Sequence, residues 1–98
     1  MGEQRQYVVD AKLDPAGDEQ ITTLTTAQSL KKVPKGARLA ILQAVGQNIR
    51  WRDAGTDPTA AIGMQLVVGV ERPYTGDFAK IRFIEATASA ELNVVYYF

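Results

Sequence analysis

The chain has 98 residues, with eleven basic and eleven acidic side chains, a formal net charge of zero, and neither cysteine nor histidine. This composition excludes disulfides, thiol nucleophiles, thiolate metal sites and proton transfer by histidine. A neutral chain also lacks the excess of Lys and Arg that a general nucleic-acid-binding protein needs. Because domains usually run to about 100–150 residues, we expect a single domain over residues 1–98.

The N-terminal third is predicted to contain short extended segments separated by turns. Residues 1–6 are polar and patternless, so we expect a flexible arm, and residues 7–9 could form a short strand. Residues 14–18 include Pro, Gly and two Asp, which favour a turn. The β-branched residues of 21–26 favour a strand, whereas 27–32 fits either one helical turn or a strand.

The middle of the chain predicts a hairpin. Residues 39–45 are apolar on both faces apart from Gln43, as expected for a strand inside a sandwich. Gly46 and Gln47 can supply the positive φ of a tight turn. Residues 48–52 then alternate, which places Trp51 in the core and the flanking arginines on the opposite face.

The last third continues with strands and turns. The alternate apolar residues of 64–70 are predicted to share one face, and 73–76 is predicted to be a turn. Residues 80–83 alternate up to a bulge or face switch near Glu85. The C-terminal residues are predicted to form a closing strand. Its inward side chains are expected to be Leu92, Val94, Tyr96 and Phe98.

Six to eight short strands separated by Gly and Pro turns indicate an all-β fold, either a small antiparallel β-sandwich or a jelly roll. No window sustains a helical spacing of apolar residues over three turns. We therefore expect helix to be nearly absent.

Cationic side chains are the first candidate for binding. Four of them would share one face if their strands are neighbours: Arg50, Arg52, Lys80 and Arg82. Such a face could bind phosphate or an acidic partner. The alternative, which the sequence favours, is a solvated outer face balanced by Asp53 and Glu85.

Two tyrosines are candidates for subunit contacts. Tyr97 is predicted to face outward from the closing strand, and Tyr74 lies in the predicted turn 73–76. Exposed tyrosines are common in protein interfaces, and a closed homo-oligomer would also cover sheet edges that small β-domains must protect. We expect a homo-oligomer, for which a trimer is one possibility.

The sequence predicts no catalytic residue, no cofactor and no metal site. The acidic segments 14–19 and 53–57 could in principle bind calcium, but neither has the ligand spacing of a helix-loop-helix calcium site. Asp and Gly are also ordinary turn residues. Neither serine, Ser29 or Ser89, lies in a nucleophile elbow. An enzyme is therefore not expected.

Several segments together resemble small virion structural proteins of tailed bacteriophages and prophages. The resemblance covers about residues 30–97 and rests on these stretches: 33–38, 39–44, 47–53, 62–64, 74–77, 81–85 and 90–97. It includes the sequence Arg50-Trp51-Arg52-Asp53, for which the family supplies no assigned role.

This resemblance implies a non-enzymatic protein located in the virion and made in the host cytoplasm. The expected role is capsid decoration, in which the protein binds the major capsid protein or another virion protein and stabilises the head. The alternative is a small tail, connector or fibre component, which could be a carbohydrate-binding module. Neither role implies a membrane or a specific nucleic acid as partner.

Overall fold

The computed structural model describes residues 13–98, which contain eight strands and no helix. The predicted arm at 1–6 and the predicted strand at 7–9 lie outside these residues. The strands are β1 (Pro15–Ile21), β2 (Gln28–Ser29), β3 (Leu39–Val45), β4 (Ile49–Arg52), β5 (Met64–Leu66), β6 (Glu71–Tyr74), β7 (Arg82–Glu85) and β8 (Glu91–Tyr97).

The strands form two antiparallel sheets of four. Sheet A has the order β1-β8-β3-β6, and sheet B has the order β2-β7-β4-β5. Each strand pairs with its counterpart counted from the other end: β1 with β8, β2 with β7, β3 with β6, and β4 with β5. The chain is thus one long hairpin, rolled so that β8 also pairs with β3 and β7 with β4. This is the jelly-roll arrangement, and it confirms the predicted fold class.

The core fills the space between the two sheets. Its largest fully buried side chains are Tyr96, Phe83, Leu24, Leu42, Ile49, Leu66, Ile81, Leu92 and Val94. The predicted core positions of Trp51 and Tyr96 are confirmed, since their exposures are 8% and 0%. The inward position predicted for Phe98 is wrong, because this residue follows the end of β8 and is 40% exposed.

The predicted hairpin between residues 39 and 52 is also wrong. Gly46 has the expected positive φ of 84°. However, β3 pairs with β6 and β8 in sheet A, whereas β4 pairs with β5 and β7 in sheet B. The connection at 46–48 therefore crosses from one sheet to the other. In a hairpin and in a crossing between facing sheets alike, the apolar residues of both strands pack into one core. The local turn pattern therefore does not distinguish the two arrangements.

Three further local predictions differ from the structure. Of the strand predicted over residues 21–26, only Ile21 lies in a strand, as the last residue of β1. Residues 14–18 were predicted to be a turn, but β1 runs through them as an edge strand, with a register shift between Pro15 and Gly17. Edge strands and bulges accommodate Pro and Gly. The predicted strand 64–70 ends at Leu66, and of its four alternate apolar residues only Leu66 is buried.

A buried carboxylate ties three parts of the chain together. Glu19 of β1 is 7% exposed, and its Oε2 accepts a hydrogen bond of 2.5 Å from the hydroxyl of Tyr96 in β8. The same carboxylate accepts bonds of 2.9–3.2 Å from the backbone N–H groups of Lys31 and Lys32. The loop after β2 is thereby fastened to sheet A.

Four aromatic rings form a continuous chain across the core. Trp51 meets Tyr74 edge-on at 5.8 Å between ring centroids, and Tyr74 lies 5.8 Å from Phe78. Phe78 in turn meets Tyr96 edge-on at 6.2 Å. The guanidinium of Arg72 lies 5.5 Å from the centroid of Trp51. Edge-to-face rings and a cation over an indole are both favourable geometries. This row of four rings therefore helps to hold the two sheets together.

Candidate functional site

The outer face of sheet B carries the predicted cationic cluster. Strand β4 lies beside β7, and Arg52 is directly opposite Arg82 in their antiparallel register. Arg50, one row along, stands opposite Ile84 in β7 and Gln65 in β5. We call the outer surface formed by Arg50, Arg52 and Arg82 the arginine face. The structure therefore confirms that these three arginines share one face.

Hydrogen bonds to backbone carbonyls orient two of these arginines. Arg50 donates from Nη1 to the carbonyl oxygen of Gly63 at 3.2 Å. Arg82 donates from Nη1 to the carbonyl oxygens of Ala79 and Ile81 at 3.0 and 3.3 Å. Lys80 is exposed and shares a shallow recess with Gly55, Asp57 and Arg82 at the end of the face.

The predicted balancing acids, Asp53 and Glu85, form no ion pair with these arginines. Asp53 instead accepts a 2.7 Å hydrogen bond from the hydroxyl of Tyr74, and Glu85 accepts one from the backbone N–H of Ser89. Within residues 13–98 a single ion pair is present, between Arg82 Nε and Asp57 Oδ1 at 3.9 Å, and both side chains are partly exposed. Such a pair contributes little. The arginine face thus groups three cations, of which only Arg82 has an ion-pair partner within residues 13–98.

Tyr74 is not the exposed turn residue that the sequence predicted. It is the last residue of β6, it is 7% exposed, and its ring packs between Trp51 and Phe78. Its hydroxyl bonds to Asp53 and, at 3.3 Å, to the carbonyl oxygen of Asp77. Burial, followed by the bond to the Asp53 carboxylate, raises the pKa of Tyr74 well above its usual value. Tyr74 thus belongs to the core, and its hydroxyl holds the loops after β4 and β6.

Replacing Gly76 by alanine is expected to destabilise the protein by about 1–3 kcal/mol, because the new methyl group would overpack the core. A Cβ at this position would lie 2.6 Å from Cζ of Tyr74 and 2.9 Å from its Cε1. Urea unfolding followed by Trp51 fluorescence measures the change. In a Tyr74→Ala background the same substitution should change stability by less than about 0.5 kcal/mol. Equal effects in both backgrounds would contradict the proposed clash.

Tyr97 lies on the opposite sheet from the arginine face. It is half-buried at the end of β8, where its register partners are Leu39 and Pro15. The next outward row of sheet A contains Val95 and Ile41. The six predicted interface residues therefore do not form one surface: Lys80 borders the arginine face, Tyr97 is on sheet A, and Tyr74 is inside.

Sequence reasoning missed an exposed apolar edge of the sandwich. Its large side chains are Ile62, Met64, Val67, Val68 and Val70, of which Ile62 and Val70 are 57% and 55% exposed. We call residues 62–70 the edge segment. It contains β5, the outer strand of sheet B, and the connection to β6, the outer strand of sheet A. Alternation alone suggested that these residues face the core, although the absence of charge from position 58 to 70 was visible in the sequence.

No cluster of three or more carboxylate side chains suited to a metal ion occurs in the described part of the chain. Residues 13–98 also contain no helix of the length and apolar character needed to cross a membrane. Comparisons of the chain with protein-family models, with curated proteins and with solved structures each find no match.

Proposed function

We propose that this chain is a non-enzymatic structural protein of a tailed-bacteriophage virion that decorates the capsid. The proposal rests on the sequence resemblance over about residues 30–97 and on the surface of sheet B. A decoration protein binds the assembled shell and not its free subunits, so its binding energy shifts the equilibrium towards the shell.

The observation that carries the proposal is the arginine face, on which Arg50 and Arg52 have no ion-pair partner among residues 13–98. Like charges directly opposite each other on neighbouring strands are destabilising. Arg52 and Arg82 have this arrangement, and the acids nearest in sequence bond elsewhere. An acidic partner would relieve this repulsion between the two arginines, so the surface is well suited to bind one. Arginine forms paired hydrogen bonds to carboxylates, so the partner is a virion protein with exposed Asp and Glu.

The alternative of a sugar-binding tail or fibre module has less support. Sugar binding needs an exposed aromatic platform, and the chain's single tryptophan is buried beneath Arg72. Adding glycans should leave Trp51 fluorescence unchanged. A saturable change would instead favour the sugar-binding module.

Reversing one charge of the arginine face is expected to weaken capsid binding at least about tenfold, because attraction to carboxylates becomes repulsion. The variants are Arg52→Glu and Arg82→Glu, and the matched control is Lys35→Glu at an exposed turn. Binding is measured by sedimenting purified protein with decoration-free heads of the phage that encodes it. Higher salt should release the wild-type protein and affect the Arg52→Glu protein less.

Two results would overturn this proposal. Quantitative mass spectrometry of purified virions should find copies in numbers comparable to the major capsid protein, so none or only a handful per particle excludes decoration. Equal binding by Lys35→Glu and Arg52→Glu proteins, both weaker than wild type, would mean that general charge rather than the arginine face is responsible.

A further inference from the structure

The edge segment differs chemically from the rest of the surface. Residues 58–70 contain no charged side chain, although charged residues make up 22% of the chain. Val67 to Val70 form a tight turn, closed by a 3.1 Å bond from the N–H of Val70 to the carbonyl oxygen of Val67, with Gly69 at φ 82°. Such turns normally carry polar residues. Here the turn presents three exposed valines, which indicates a surface that another molecule covers.

The other three sheet edges carry features that prevent pairing with another chain. These features are a bulge between Pro15 and Gly17 with exposed Asp18 in β1, the two-residue length of β2 followed by Lys31 and Lys32, and Pro73 beside Glu71 and Arg72 in β6. Prolines, bulges, short strands and charges are the usual protections of an edge. Strand β5 is also short, with three residues, but it has neither a charge nor a proline, so it is the least protected edge among the described strands.

We infer that β5 pairs antiparallel with β5 of a second copy of this chain, about a two-fold axis at Gln65. This pairing would join the two B sheets into one sheet of eight strands. Met64 of each copy would then lie opposite Leu66 of the other, on the side of the core, and the two Gln65 amides would meet on the outer face. The inference is independent of capsid binding.

Charge favours a second copy as the occupant. Two uncharged edges meet without repulsion, whereas a strongly charged partner gains nothing from this segment. Arg72 of β6 lines the recess beside Gln65 and Leu66, where Glu71 also lies. Within sheet B the nearest cations across the axis are the two Arg50 side chains, because Arg50 stands beside Gln65. The backbones of the two Arg50 residues would lie three strand spacings apart, about 14 Å. Salt screens their repulsion, because this distance exceeds the Debye length of about 8 Å at physiological ionic strength. The arginine faces of both copies would lie on the same side of the joined sheet.

Sedimentation equilibrium of the full chain tests the pairing, and we expect a dimer. Val67→Lys places a charge beside the axis and should weaken dimerisation at least about 100-fold, because the lysine would be desolvated in the contact. The matched control is Val95→Lys on the outer face of sheet A, where valine is 38% exposed. Both positions are exposed, so both variants should keep the fold, which Trp51 fluorescence checks. The control should dimerise within about threefold of wild type.

A cysteine pair tests the register directly, since the chain has no cysteine of its own. Mild oxidation should convert Gln65→Cys to a covalent dimer, because directly opposite Cβ atoms lie about 4.5–5.5 Å apart. Gln20→Cys, an exposed position on the edge strand β1, should remain uncrosslinked. A monomer at all concentrations, a trimer, or a dimer broken by Val95→Lys but not by Val67→Lys would each overturn the inference. A wild-type protein that dimerises but does not bind decoration-free heads would overturn only the decoration role.

Discussion

Replacing Glu19 by alanine is expected to lower the free energy of unfolding by about 2–5 kcal/mol. The carboxylate is the acceptor for the buried hydroxyl of Tyr96 and for the backbone N–H groups of Lys31 and Lys32. Removing it leaves the buried hydroxyl of Tyr96 and two partly buried backbone N–H groups without their acceptor, and an unsatisfied buried group costs about 1–3 kcal/mol. Guanidinium unfolding followed by Trp51 fluorescence measures the loss.

The neighbouring residue provides the control for this prediction. Gln20 is exposed, and its side chain bonds only to the partly exposed Asn93, so Gln20→Ala should change stability by less than about 1 kcal/mol. Tyr96→Phe removes one donor and keeps the carboxylate bound to the loop, so its effect should be intermediate. If the free energy of unfolding of Glu19→Ala lies within about 1 kcal/mol of the wild-type value, the carboxylate does not stabilise the fold as its hydrogen bonds indicate.

Alkaline solution is expected to unfold the protein steeply above about pH 10. Burial, followed by the bond to a carboxylate, raises the pKa of both Tyr74 and Tyr96 above the usual value of about 10. Below that pH the phenols are protonated in the folded and unfolded chains, so their contribution to stability is complete. Above it the unfolded chain releases these protons first, and each tyrosine lowers the free energy of unfolding by about 1.4 kcal/mol per pH unit. The loss continues until the folded phenols ionise.

Urea midpoints measured from pH 8 to 12 check this dependence. Tyr74→Phe and Tyr96→Phe should each remove about half of the alkaline slope, and the double variant should remove most of it. Phe78→Leu is the control, because it weakens the same aromatic chain without removing a phenol and should keep the full slope. A slope unchanged in the double variant would assign alkaline unfolding to other groups.

The fold class was predictable because strands that bury one face leave an alternating pattern. The alternation in β4 correctly placed Trp51 inside and its flanking arginines outside, and that in β8 correctly placed Tyr96. Sheet assignment was not predictable from the same pattern. A tight turn at Gly46 fits both a hairpin and a crossing between sheets, and the difference depends on pairing with β6 and β8, more than 25 residues away along the chain.

The candidate surfaces were only partly predictable. Of the four cations predicted to share one face, Arg50, Arg52 and Arg82 do so, because this depends on alternation and on two strands being neighbours. Lys80 precedes β7 and only borders the face. The buried roles of Glu19 and Tyr74 were missed, because a carboxylate in a Pro- and Gly-rich stretch and a tyrosine after proline have the local features of exposed turns. Their burial depends on donors and acceptors that the fold brings from distant positions, such as Tyr96 for Glu19 and Asp53 for Tyr74.

The rolled pairing of the strands also constrains how the chain folds. Strand β8 lies between β1 and β3, so sheet A has no continuous interior until residues 91–97 have been synthesised. The contacts of β1 with β8 close a loop of more than 70 residues, and such distant contacts slow folding to milliseconds or seconds. During synthesis on the ribosome, β1 must therefore wait unpaired, and it is a segment exposed to premature association with other chains.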